Sequence, residues 1–272
     1  MRKLLFLKNN NKIKINGSPV QVPQNLIDFF SIRTNNVVEQ ELSNFMKDNL
    51  KPGHVFVDVG SNIGLLALEA SGLVGDSGKV IAFEPNPWCY KQLTEITSLN
   101  KKENIFAFCL ALSREEGWIT LNMNKSDSVL MTRSSMIFSD DNAQKTSVLA
   151  KRLDDFLPRK GPITILKIDV EGAEMEVLEG SKQLILEHRP IVSLEVHGVF
   201  FDDPVGHVSR VFDFFEAIQY RCYNLIKRKQ ETLENFIHDS GVEGKDPVSG
   251  KDFSKNGYGQ LIYCPSEKKV IV

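Results

Sequence analysis

The stretch Val57-Asp58-Val59-Gly60-Ser61-Asn62-Ile63-Gly64 decides the fold. An apolar, β-rich run ends in an acid, turns at one glycine and passes through a second into a helical stretch over residues 63–71. Gly60 lets the backbone turn sharply where a ligand must come close, and Gly64 lets the helix pack tightly on the strand. In α/β sheets, the crevice at the carboxyl ends of the strands is where ligands bind.

Two details choose the ligand. A dinucleotide loop needs Gly-x-Gly-x-x-Gly so that backbone N–H groups can approach a pyrophosphate. Here Asn62 takes the middle glycine position, and Asp58 stands at the strand end, where a pyrophosphate would be repelled. A phosphate-free nucleoside carrying an ammonium and a sulfonium suits that carboxylate better, which points to S-adenosylmethionine (SAM). A purely structural glycine turn with Asp58 as a helix cap is the plainer alternative. Further on, Val80-Ile81-Ala82-Phe83-Glu84-Pro85 reads as a second strand ending in an acid. Glu84 lies about 20 residues past the glycines, where nucleotide-binding folds place the acid that holds the ribose hydroxyls.

Outward from this core the chain alternates. Helical spacing over Glu39 to Leu50 ends at Lys51-Pro52-Gly53. Strands are expected at Val55–Val57, Lys79–Phe83, Ile105–Leu112, Thr164–Ile168, Ile191–Val196, Arg221–Ile226 and Gln260–Cys264. Helices are expected at Pro87–Asn100, Ala173–Glu187 and residues 207–218. Apolar strands separated by helices indicate a Rossmann-like α/β domain, a mostly parallel sheet with helices on both faces. Residues 1–50 read as an N-terminal helical cap segment and 51–272 as the main domain. The period-two run Trp118-Ile119-Thr120-Leu121-Asn122-Met123 marks an inserted β-hairpin within about 117–157. The polar stretch at about 227–258 reads as a lid.

A second acidic group closes the fourth strand, in Lys167-Ile168-Asp169-Val170-Glu171-Gly172. Alternation along an extended segment puts Lys167, Asp169 and Glu171 on one face. The neighbouring strand ends at Glu195-Val196-His197. Lys167, Asp169, Glu195 and His197 therefore converge beside the crevice as candidate catalytic groups. If a SAM methyl group is to go to a hydroxyl, that acceptor needs a base, or a metal that lowers its pKa. His197 or Asp169 could be the base. Mg2+ on Asp169 and Glu195 is the less favoured route, and no metal ligand is assigned. A capping role for His197 and a helix-dipole role for Glu171 and Glu174 remain the plain alternatives.

The charge balance, 33 Lys+Arg against 35 Asp+Glu for a net −2, argues against a nucleic-acid partner. The 272 residues suit one decorated α/β domain, and 42% hydrophobic residues supply its core. Cys89, Cys109, Cys222 and Cys264 lack C-x-x-C spacing and read as free thiols of a reducing compartment. The apolar run after Met1-Arg2-Lys3 ends at Lys8, too short for a secretory signal, and no stretch spans a bilayer. The expectation is a cytoplasmic enzyme, with homodimerisation left open.

The chain resembles the FkbM-type methyltransferase family. The matching residues are Glu39, Lys51-Pro52-Gly53, Phe56 through Gly64, Ala82-Phe83-Glu84-Pro85, Leu153-Asp154-Asp155-Phe156, and Leu166-Lys167-Ile168-Asp169-Val170-Glu171-Gly172-Ala173-Glu174 continuing to Gly180. The resemblance covers about residues 39–197, and its Lys-Ile-Asp-Val-Glu-Gly-Ala-Glu segment is the specific part. It implies a seven-stranded class I methyltransferase sheet with one antiparallel strand, Gln260–Cys264. It also implies a SAM site that takes in Glu39, Asp58, Gly60, Asn62, Gly64 and Glu84. The implied reaction is O-methylation of a sugar, glycan or other small hydroxylated molecule. An NAD-dependent oxidoreductase and a non-catalytic SAM-fold protein are the competing readings.

Overall fold

A computed structural model describes residues 12–27, 39–123, 134–135, 144–157, 161–240, 258–269 and 271. A hairpin of β1 (Lys12–Ile15) and β2 (Ser18–Gln21) comes first, then α1 (Gln40–Asn49). The alternation starts with β3 (Val55–Val59), α2 (Leu65–Val74), β4 (Lys79–Phe83), α3 (Pro87–Leu99) and β5 (Ile105–Phe108). β6 (Ala111–Leu112), β7 (Gly117–Met123), β8 (Ser134–Ser135) and β9 (Gln144–Lys151) make a separate sheet in the order β6-β9-β7-β8. The alternation resumes with α4 (Leu153–Phe156), β10 (Ile165–Ile168), α5 (Glu174–Gly180), α6 (Lys182–His188), β11 (Ile191–His197) and α7 (Pro204–Ala217). β12 (Tyr220–Asn224), β13 (Lys229–Gln230), α8 (Leu233–Ser240) and β14 (Tyr258–Pro265) complete it.

The main sheet runs β13-β12-β14-β11-β10-β3-β4-β5. β11, β10, β3, β4 and β5 pair in parallel, and β14 is antiparallel to both β11 and β12. This is the mostly parallel Rossmann-like sheet that the resemblance implied, with the antiparallel strand where the resemblance put it. Among the described residues the sheet has eight strands rather than seven because the two-residue β13 adds an edge beside Tyr223 and Asn224.

Side-chain alternation divides the core into two layers. Phe56, Val80 and Ile165 pack with Leu42 and Phe45 of α1, Leu66 of α2 and Leu93 of α3. Val57, Val59, Leu166 and Ile168 pack with Val177 of α5, Leu184 of α6, and Val211 and Phe215 of α7. Helices therefore cover both faces, and the sheet's β-branched runs are buried on each side. Asp58 and Lys167 share the face of Phe56 and Ile165, a period of two along their strands. They are thus the polar ends of otherwise apolar rows.

Several local expectations change. Residues 12–27 form a hairpin and a following helical turn over 24–27, and their Ile15, Val20, Val22 and Leu26 join the first core layer. The expected strand Ile105–Leu112 divides. Its first half stays in the main sheet and Ala111–Leu112 pair in parallel with β9. The expected helix Ala173–Glu187 breaks at Ser181, whose hydroxyl donates to the Val177 carbonyl at 2.7 Å. Gly180 is needed there, since a Cβ would lie 2.0 Å from the Ser113 carbonyl oxygen. The inserted hairpin is present as β7 against β9. Of the expected lid, residues 227–240 form β13 and α8 with their connections, and 241–257 lie outside the described residues. All four cysteines are free thiols. No helix among the described residues is long and apolar enough to cross a membrane.

Gly60 is the point where two strands touch. Its φ is +78°, and a Cβ there would lie 1.7 Å from the Asp169 carbonyl oxygen. Gly60→Ala is expected to lower urea-unfolding stability by more than about 2 kcal/mol, from left-handed strain plus a backbone clash. Gly117→Ala, with open space around it, should stay within about 0.5 kcal/mol. Equal stability of the two variants would contradict the close β3–β10 approach.

Candidate active site

The carboxyl ends of β3, β4 and β10 open into a crevice. Gly60, Asn62, Glu84, Asp169 and Glu171 provide its polar wall, and Leu110, Leu112 and Leu121 are among its apolar wall residues. Leu121 comes from β7, so the inserted sheet forms part of the site.

The turn after β3 and the end of β4 are bound together. Gly60 and Ser61 both donate backbone N–H bonds to the Phe83 carbonyl. Glu84 accepts from Asn62 N at 2.7 Å through Oε2 and from Asn86 N at 2.8 Å through Oε1. Burial raises the Glu84 carboxyl to about 7, against the pull of those two amides. Each oxygen keeps a second acceptor position, so the group can still accept hydrogen bonds from a diol in the crevice. Asn62 has φ +51°, a left-handed conformation that Asn tolerates better than most residues. Gly64 lies outside the crevice wall. It caps α2 at φ +83°, with a virtual Cβ 2.7 Å from Leu93 Cγ.

Behind the wall lies a buried ammonium. Lys167, 2% exposed, sits opposite Asp58 in the β10–β3 register. Its Nζ is 3.4 Å from Asp58 Oδ1 and 3.3 Å from Asp169 Oδ2, and it donates to the Gly60 carbonyl at 3.3 Å. Burial opposes its charge, but Asp58, Asp169, Glu39 and Glu195 hold it well above the usual lysine range. Burial pushes Asp58 upward while Lys167 pulls it down. Glu39, at φ +42° before α1, belongs to the same group. Burial raises it to about 7, with Lys167 opposing and Asp169 and Asp58 adding to the rise. Asp58 is fully buried and does not line the crevice; its neighbour there is Lys167, not open space.

β11 brings the second group. Leu194 registers with Ile168, so Glu195 and His197 end beside Asp169. Atoms of Asp169, Glu195 and His197 lie within 4.8 Å of one another, a spacing that a divalent ion could bridge. His197 Nε2 is 3.7 Å from Glu171 Oε2 and 3.8 Å from Glu195 Oε1. Its Nδ1 is 2.7 Å from Glu174 Oε1, and Glu174 is wholly buried. Burial works against the imidazolium, yet Glu174, Asp169 and Glu171 raise it to about 9.

Sequence reasoning therefore named the groups that meet here. Gly60, Asn62, Glu84 and Asp169 reach the crevice, while Glu39, Asp58, Lys167, Glu195 and His197 stand behind or beside it. It missed His207, whose Nε2 is 3.2 Å from Glu174 Oε2, and Gln260, which meets Glu39. Both come from elements far along the chain with no motif of their own. It read Glu174 as a helix-dipole acid, and its burial between two imidazoles is visible only in three dimensions.

The methyltransferase FkbM domain model matches residues 58–222. Methyltransferase sdnD of Sordaria araneosa is 30% identical over 161 residues, 48% of this chain and 62% of that protein. Hexuronic acid methyltransferase AglP of Haloferax volcanii is 28% identical over 162 residues, 58% of this chain and 62% of that protein. The chain thus matches less than two thirds of the length of these relatives. The crystal structure of a methyltransferase FkbM from Methylobacillus flagellatus KT aligns with TM-score 0.48 at 15% identity, over 78% of this chain and 43% of that one. The dinucleotide oxidoreductase reading is set aside, since the matching model spans the glycine turn, Glu84 and the Asp169 strand. The chain belongs to the FkbM methyltransferase family.

Proposed function

We propose that the protein is a SAM-dependent O-methyltransferase acting on a hydroxyl of a sugar, glycan or other small metabolite. The observation that carries this is Glu84. It is a buried carboxylate fixed by two backbone amides on the polar wall of a crevice that Asp169 also lines. The residues fit the donor. Glu84 has free acceptor positions for ribose hydroxyls, and the acids around Lys167 exceed its single charge, which favours a cationic ligand. When bound, SAM supplies an electrophilic methyl group on a sulfonium. Asp169 accepts the proton of the attacking hydroxyl, at the end of β10 where the crevice can hold an acceptor. Lys167 and His197 supply positive charge beside the acids, and the reaction is assigned no metal. His197, held as an imidazolium, is a poorer base than its ordinary pKa suggests. The AglP name, a hexuronic acid methyltransferase, supports a hydroxylated sugar-like acceptor.

Titration calorimetry with SAM is expected to show one site. Glu84→Ala should weaken it about 30-fold or more, because charge-assisted hydrogen bonds contribute roughly 1.5–3 kcal/mol each. Affinity within about 2-fold of the parent would remove Glu84 from the site.

Transfer from [methyl-3H]SAM to a panel of sugars, hexuronic acids and cell-extract metabolites then tests the chemistry. Asp169→Asn should keep SAM affinity while turnover falls about 100-fold or more, the scale of general-base loss. EDTA should leave the parent's turnover unchanged. Near-normal turnover of Asp169→Asn excludes Asp169 as the base, and loss of activity in EDTA restored by Mg2+ excludes the metal-free route.

A further inference from the structure

Glu174 is a buried ionisable group that the reaction above leaves unused. It opens α5, is fully buried, and meets three partners. His197 Nδ1 lies at 2.7 Å from Oε1, Gly172 N donates to Oε1 at 3.1 Å, and His207 Nε2 approaches Oε2 at 3.2 Å. Both imidazoles are flanked by rings. Phe201 stacks on His207 with centroids 3.8 Å apart, and Phe200 stacks on His197 at 5.7 Å. The group joins three elements: the N-terminus of α5, the end of β11 and the first turns of α7.

Stability alone is a weak reason for such a group. Removing a carboxylate and two imidazoles from water costs several kcal/mol, and apolar residues of similar volume often serve a core as well or better. The geometry has a direction instead. Glu174 takes one ring nitrogen of His197, so the other, Nε2, is turned toward Glu171 and Glu195, with Asp169 beside them. Asp169 and Glu171 line the crevice.

We propose that Glu174 is a positioning residue for the transfer: braced by His207 and Gly172, it fixes the His197 ring with Nε2 facing the acids at the crevice floor. This rests on the reading of Asp169 as proton acceptor. Held so, His197 is a stationary cation beside Glu171 and Glu195, and the acceptor's proton is left to Asp169. Among the described residues, the charged groups that face the ring include Glu174 of α5, Glu171 and Asp169 after β10, and Glu195 of its own strand. Lys167 of β10 lies beyond Asp169, and His207 of α7 lies beyond Glu174. Burial alone would raise Glu174, but the two imidazoles bring it down to about 2, in keeping with a fixed carboxylate.

The first test needs no acceptor and no variant. Nitrogen-15 spectra of the full chain should show both His197 ring nitrogens protonated at pH 7.5, with titration near pH 9. Titration at or below 6.5, the ordinary histidine value, overturns the proposal. The isosteric E174Q should bring that titration down by 2 or more pH units while SAM affinity stays within about 2-fold. An unshifted His197 also overturns it. With an acceptor from the tritium screen, E174Q should lower kcat about 10–100-fold with little change in the KM for SAM, the cost of a misplaced site group. A kcat within about 2-fold of the parent contradicts the positioning role. Failure of SAM to bind the parent would sink the proposed function instead, and the nitrogen-15 result would still read the Glu174–His197 pair.

Discussion

The Lys167 ammonium is the interaction on which the rest of the site depends. It lies inside the sheet, within 3.4 Å of Asp58 on β3 and 3.3 Å of Asp169 past the end of β10, and it donates to the Gly60 carbonyl. One cation therefore ties together the two central strands, the glycine turn and the candidate base. Burying a charge is costly unless it is paired and hydrogen-bonded, so each partner of Lys167 is needed by the others. Gly60 fits the same constraint from the backbone side, because no Cβ can stand between the turn and Asp169.

From this anchor the site divides by depth. Lys167, Asp58 and Glu39 form a layer behind the wall, and Glu84, Asn62, Asp169 and Glu171 form the wall itself. The left-handed residues Glu39, Asn62 and Glu171 belong to this region. Such backbone costs about 1–3 kcal/mol per residue and persists where the surroundings fix it. The strain aims backbone amides and carboxylates at the crevice in a way that regular strands and helices would not.

The sequence shows the wall more clearly than the layer behind it. Gly60, Asn62 and Glu84 are legible because a strand, a turn and an acid at fixed spacing are local features, and each residue type has a backbone or hydrogen-bonding reason. The strands bearing Asp169 and His197 are legible from their apolar runs. The pairing of Asp58 with Lys167 is not, since register between strands more than a hundred residues apart leaves no local signature. Asp58 reads as a carboxylate facing the ligand, and only the fold shows it turned toward an ammonium. His207 and the burial of Glu174 are hidden for the same reason. The division of Ile105–Leu112 is hidden because a continuous apolar run does not say which sheet each half joins.

The most direct measurement is urea unfolding of Lys167→Met, with SAM calorimetry on the same preparation. Methionine keeps the length of the side chain and removes the charge that Asp58 and Asp169 require. The account predicts a loss of about 3–5 kcal/mol in stability, the cost of leaving a buried charge without its partner, together with loss of measurable SAM binding. A Lys167→Met protein as stable as the parent, binding SAM with the same Kd, would contradict it.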